Sequence, residues 1–302
     1  MQAIRSLKQA LRNMLLPRAF LREFESMRLT QGRLFSAVNA ANPSRSIRDC
    51  EFRVFSQFGE DGIIQRLIQT VPITHRTFIE FGVEDFAESN CRFLLMNNNW
   101  RGFVLDSSER AVASMRSTSW YWKHDLRAAC AMLTRDNIND QLRASGFPRD
   151  LGLLSIDVDG VDYWLFEAIT AFEPRILIVE YNATFGDERA ITVPYHPAFS
   201  RRAQHYSDMY YGASLAALAH LADQRGYALV GTESAGVNAF FVRRDVLGDW
   251  PALSVREAYS PCYVRQSRNR EGVLDFLDPE GRRAAIAGLP VVNVLTGATE
   301  PL

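Results

Sequence analysis

The chain has few cysteines. The four present (Cys50, Cys91, Cys130 and Cys262) lie far apart, with no C-x-x-C and no partnering histidine spacing. That argues against a zinc site or a redox dithiol and for reduced thiols in a cytoplasmic protein. No run approaches the ~18 apolar residues of a membrane span. The N-terminus also lacks the apolar stretch and small-residue cleavage site of a secretory signal. A dominant charge is missing as well: the 302 residues carry a net charge of -1, without the basic footprint of a nucleic-acid binder. There is no internal repeat, no low-complexity segment and no G-x-G-x-x-G turn, so a dinucleotide cofactor is not expected.

What is present is ordinary in bulk, with 47% apolar and 23% charged residues. That is enough to bury a full core in one α/β domain with extensions. The informative feature is local. Four apolar runs each end in a carboxylate: Phe78-Ile79-Glu80, Phe103-Val104-Leu105-Asp106, Leu154-Ser155-Ile156-Asp157 and Ile178-Val179-Glu180. Such runs without alternation read as strands buried on both faces of a parallel sheet. Ligands of an open α/β sheet sit beyond the carboxyl ends of its strands, so the four acids point to one site for hydroxyl groups, a cation, or both.

Alternating strands and helices from about residue 52 predict a doubly wound, mostly parallel sheet. Strands are expected at 77–81, 102–105, 119–122, 151–156 and 175–179, and a final hairpin at 226–230 and 238–242. Residues 1–50 form a basic helical extension, 51–245 the α/β domain, and 246–302 a tail packed back on it. The first 33 residues hold seven Arg or Lys against Glu23 and Glu25. Ile4, Leu7, Leu11, Met14 and Leu15 recur there at helical spacing until Pro17. A basic amphipathic helix of this kind fits the anionic inner face of a membrane, the protein's own domain, or a second subunit of a homo-oligomer. The long aromatic and polar stretch 181–211 reads as a lid or binding loop.

The turn after the first strand holds Gly82, Glu84 and Asp85. Its acids would repel a phosphate at the helix N-terminus and would suit a phosphate-free, cationic cofactor such as S-adenosylmethionine. Asp106 lies 26 residues after Glu80, near the ~20-residue offset of ribose-binding acids, with Ser107 beside it. A helix beginning near 107–108 offers Asp106 a capping role instead. Asp157, Asp159 and Asp162 crowd the fourth strand end, and Glu180 and Asn182 the fifth. This all-oxygen set suits a hard ion, Mg²⁺ first, although Asp162 could equally cap its helix. Candidates for the base are His196, His205 or a strand-four aspartate. Tyr195, Tyr206, Tyr210 and Tyr211 could stack on a sugar, and Trp120, Tyr121 and Trp122 could flank an adenine or pack in the core.

The ordered segments FSQFGEDGII, FIEFGVEDFAESN, WRGFVLDSS, LLSIDVDGVDYWLFEAI and ILIVEYN resemble the FkbM-type methyltransferases, over roughly residues 52 to 242. The chain departs from that family at Glu84 and Asp85, where small residues are usual. The resemblance implies a Rossmann-like fold and an S-adenosylmethionine-dependent O-methyltransferase acting on a glycan or glycolipid precursor. By that resemblance Glu80, Gly82 and Asp106 would contact the cofactor, and Asp157 to Asp162 would face cofactor and acceptor. From the residues themselves, Ser107 joins the cofactor set, and Asp157, Asp159 and His196 are the catalytic candidates. Two other readings stay open: a metal-dependent glycosyltransferase using Asp157-Val158-Asp159 as a D-x-D, and a non-catalytic module on the same scaffold.

Overall fold

The computed structural model describes residues 18–302. The helix expected over residues 4–15 lies outside them. In chain order the elements are helix α1 (Arg18–Ala40), α2 (Glu60–Thr70), β1 (Thr77–Phe81), α3 (Arg92–Asn98), β2 (Arg101–Asp106), α4 (Glu109–Arg116) and β3 (Leu126–Cys130). There follow α5 (Ile138–Arg143), β4 (Leu153–Ile156), α6 (Asp162–Ala168), β5 (Ile176–Glu180), β6 (Ile191–Thr192), α7 (Arg201–Gln204), α8 (Leu215–Gln224), β7 (Tyr227–Thr232) and β8 (Asn238–Arg243). The tail adds α9 (Val255–Ala258), α10 (Pro279–Ala285), β9 (Pro290–Asn293) and β10 (Thr299–Pro301).

Seven strands make one sheet in the order β3-β2-β1-β4-β5-β8-β7. All neighbours from β3 to β5 pair in parallel, and β8 runs antiparallel to both β5 and β7. This is the doubly wound, mostly parallel sheet expected from the sequence. Both faces are dry. Ile79, Phe103, Leu105, Leu154, Ile156, Leu177 and Val179 pack toward α5, α6 and α8. Phe78, Val104, Leu153, Ile176 and Ile178 pack toward α2, α3 and α4. Burial on two sides is why these strands show no hydropathy alternation. The chain runs outward from β1 to β2 and β3, then returns to the other side of β1 with β4. The topological switch point therefore lies between the carboxyl ends of β1 and β4.

Two expectations need correction. The third strand is Leu126–Cys130, not 119–122. The aromatic run Trp120-Tyr121-Trp122 has strong strand propensity, but Trp120 instead packs against Phe86 from a turn, with Arg92 over its ring. The lid or binding loop expected at 181–211 is also more ordered than its lack of periodicity implied. β6 pairs with β9 of the tail, and β9 with β10, in a second, three-stranded sheet. Phe185, Ile191, Val193, Met209 and Tyr210 share a buried cluster with Ile286 and Val291.

Candidate active site

The turn after β1 is shaped by its acids and one glycine. Glu80 is buried and accepts hydrogen bonds from Ser89 Oγ (2.6 Å) and from the backbone amides of Asn90 (2.8 Å) and Cys91 (3.1 Å). Burial pushes its pKa up to about 6. It fastens the returning loop to the sheet, and these bonds take up both of its oxygens. Gly82 has φ +68°, and a Cβ there would lie 1.6 Å from the carbonyl oxygen of Asp157. The β1 and β4 turns thus touch at the switch point, a contact that only glycine permits.

Asp106 closes the same turn from β2. Its Oδ2 accepts the amide of Glu84 (2.8 Å) and its Oδ1 that of Ser108 (2.7 Å). Capping of α4 falls to Ser108, whose side chain accepts the Ala111 amide. A carboxylate has about four acceptor positions, so half-buried Asp106 keeps capacity for ligand hydroxyls. Ser107 is exposed beside it.

The second group of acids lies where β4 and β5 end. Oxygens of Asp157, Asp162 and Glu180 all fall within 4.8 Å of one another. Asp162, the first residue of α6, is wholly buried; it accepts the amides of Val158 (2.7 Å) and Gly160 (3.0 Å) and so folds the loop that carries Asp157. Burial raises its pKa to about 6. Burial, then the charges of Asp159 and Asp162, raise Asp157 well above the carboxylate range. Burial and the charge of Asp157 do the same to Glu180. Glu180 is 6% exposed, and its Oε2 has no hydrogen-bond partner.

Asp159 and Asn182, the other expected metal ligands, are used differently. Asp159 has φ +57°, which turns it outward, and it pairs with Arg201 at 2.9 Å. Asn182 builds the loop after β5: its Oδ1 accepts the Thr184 amide, and its Nδ2 donates to the carbonyls of Met209 and Tyr211.

A roof from residues 193–212 covers these acids. Phe199 lies against Gly160, where a Cβ would meet its ring at 2.2 Å, and the Gly212 amide donates to the Gly160 carbonyl. Arg201 Nε donates to the Asp208 carbonyl, its Nη1 holds Asp159, and its guanidinium carbon stands 3.8 Å from the Tyr211 ring centroid. Its Nη2 is buried without a partner. Arg201 was missed from the sequence; the only signal was an arginine pair inside an aromatic, polar stretch. His196 is exposed, with Nδ1 accepting the Ala198 amide, and is not in the acid cluster. His205 pairs with Ser207. Tyr210 and Tyr211 are buried, whereas Tyr195 and Tyr206 remain partly exposed.

No family model and no curated protein matches the sequence. Among solved structures, the chain is similar to the N-terminal domain of EvdMO1 with SAH bound, at 11% identity over 56% of this chain and 74% of that one, with a TM-score of 0.35. It is also similar to an S-adenosylmethionine-dependent methyltransferase from Clostridium acetobutylicum (9% identity, 61% and 89% covered, TM-score 0.38). A third is an O-methyltransferase from Bacillus cereus in complex with SAH (15% identity, 78% and 95% covered, TM-score 0.39). These similarities are slight, and the functional reading rests on the residues of the site.

Proposed function

We propose that the chain is an S-adenosylmethionine-dependent O-methyltransferase acting on a hydroxyl of a glycan or glycolipid precursor. The observation that carries this reading is Asp106. It ends β2, one strand from the switch point, bonds to the turn after β1, and has acceptor capacity to spare. A carboxylate with acceptors to spare beside an acidic turn supports a cofactor that brings hydroxyls and positive charge and no phosphate there. Gly82, Asp106 and Ser107 form the cofactor half of the site.

When bound, the cofactor supplies an electrophilic methyl group. The chain's own residues orient the acceptor and take its proton, while the methyl passes from sulfur to the hydroxyl oxygen. Glu180 is the candidate base on position: it ends β5 beside Asp157, and its Oε2 is bonded by no group of the chain among the described residues. Asp157 is the alternative. His196 is too exposed for this role. Tyr195 and Tyr206 are partly exposed, but Arg135 and Arg270 lie over their rings, so stacking on a sugar has little behind it. Asp157, Asp162 and Glu180 also fit a hard divalent ion, which would lower the pKa of a bound hydroxyl. The D-x-D reading has less behind it, since Asp159 turns away from Asp157 to meet Arg201.

Calorimetry with S-adenosylmethionine, S-adenosylhomocysteine and sugar nucleotides, each with and without Mg²⁺, tests the proposal. Binding of the first two, weakened roughly 10-fold or more by Asp106→Ala through loss of charged hydrogen bonds, is expected. Binding of a sugar nucleotide alone would overturn it.

A further inference from the structure

Helix α1 has two faces of opposite character. On one, Glu25, Leu29, Gly32, Ser36 and Asn39 meet the domain. Glu25 pairs with buried Arg92 at 2.6 Å, Ser36 bonds Gln65, and Asn39 Nδ2 donates to the Cys50 carbonyl. A Cβ on Gly32 would strike Val54 and Phe93. The opposite face carries Phe20, Phe24, Met27, Gln31, Leu34 and Val38, all exposed; Met27, Leu34 and Val38 are 66%, 64% and 67% accessible. Their spacing of four, three, four, three and four residues is a heptad seam, with Phe20, Met27 and Leu34 at d and Phe24, Gln31 and Val38 at a. The domain-facing residues then occupy b and f, away from the seam.

We infer that this seam binds the same helix of a second copy of the chain, in parallel and in register. Three observations select that occupant. The stripe keeps almost to the a and d positions for about 27 Å of helix, narrower than the apolar face of a helix lying on a bilayer. Its borders carry opposite charges at positions that meet between neighbouring heptads of a parallel dimer: Glu23 is at g, and Arg28, whose guanidinium carbon also lies 5.1 Å from the ring centroid of its own Phe55, is at e. Gln31 is the single polar a residue; in register it faces its own copy, whereas a slip would bury it against an apolar side chain. Val38 at a above Leu34 at d also favours two strands.

Sedimentation velocity on the full chain over a concentration series is expected to show a dimer. Met27→Glu/Leu34→Glu should weaken it roughly 100-fold or more, since each glutamate would have to be buried. Circular dichroism and the melting temperature should hold near wild type, because neither side chain packs on its own domain. Glu23→Arg alone should weaken the dimer, and adding Arg28→Glu should restore it. Leu34→Cys should give a disulfide-linked dimer that wild type lacks. A monomer at every concentration, or a dimer indifferent to Met27→Glu/Leu34→Glu, would overturn the inference. So would a monomer that sediments with phosphatidylserine vesicles through these same residues.

Discussion

Glu180 Oε2 and Arg201 Nη2 are buried atoms of opposite charge, each without a hydrogen-bond partner, on the floor and the roof of one acid cluster. Arg201 lowers the pKa of Glu180, whereas burial and three neighbouring aspartates raise it. Among the described residues, the guanidinium is the cation that offsets this crowd of carboxylates. Removing one partner from a buried charged group costs about 3–5 kcal/mol, so Arg201→Ala should destabilise by an amount at the lower end of that range. Thermal denaturation should show a larger loss at pH 8 than at pH 5, because protonated carboxyls need no counter-charge. An equal loss at both values would mean that Arg201 acts only through packing on Tyr211.

The contact between the two turns at the switch point can be tested with a pair of glycines. Gly82→Ala would put a methyl group 1.6 Å from the Asp157 carbonyl oxygen at φ +68°, and a loss of about 3 kcal/mol or more is expected. Gly146 has nearly the same φ, +63°, but nothing within 4 Å of an added Cβ. Gly146→Ala should cost only about 1 kcal/mol, from backbone strain alone. Comparable melting temperatures for the two variants would remove the clash from the account.

How far the sequence could reach is visible in these same residues. β1, β2, β4 and β5 were legible because burial on two faces leaves an unbroken apolar run and the strand end alone is polar. β3 was not: Leu126–Cys130 carries an exposed Arg127 and small alanines, and the neighbouring aromatics outweighed it. Asp157 and Glu180 could be brought together because they end adjacent strands. Asp159 was grouped with Asp157 and Asp162, but its left-handed backbone turns it out of the cluster, a reversal that spacing does not record. The loop-fastening bonds of Glu80 were not legible, since its partners, Ser89 to Cys91, lie about ten residues on and reach it through a loop. Arg201 is separated from its acids by a tertiary fold that no local pattern records.

Stability should fall as pH rises from 5 to 9. Glu80 and Asp162 have folded-state pKa values raised to about 6, and Glu233 is raised to about 8 by burial and by the charge of Glu60. A raised carboxyl keeps its proton longer in the folded chain than in the unfolded one. Its contribution is complete below the ordinary carboxylate range and is lost as pH climbs through the folded value. One such group gives a slope of about 1.4 kcal/mol per pH unit. Glu233 lies against Glu60 and Tyr181 and accepts the Val237 and Asn238 amides. Glu233→Gln should flatten the melting-temperature profile from about pH 5 to pH 8 and leave it little changed below about pH 4. A profile as steep as wild type would assign the slope to other groups.

A divalent ion held by Asp157, Asp162 and Glu180 would offset the same negative charge that Arg201 offsets from the roof, and this makes the metal reading testable without any knowledge of the acceptor. A ligand that binds only the folded state at 100 times its dissociation constant stabilises it by about 2.7 kcal/mol. Mn²⁺ or Mg²⁺ should therefore raise the melting temperature of wild type by a few degrees. Glu180→Gln should abolish the rise at little cost to basal stability, because a neutral amide resembles the protonated carboxyl that burial favours. Arg201→Ala should lower basal stability and yet increase the response to metal, since the cation that offsets the same charge is gone. A metal response that survives Glu180→Gln, or one that Arg201→Ala diminishes, would place any bound ion elsewhere and leave the acid cluster to Arg201 alone.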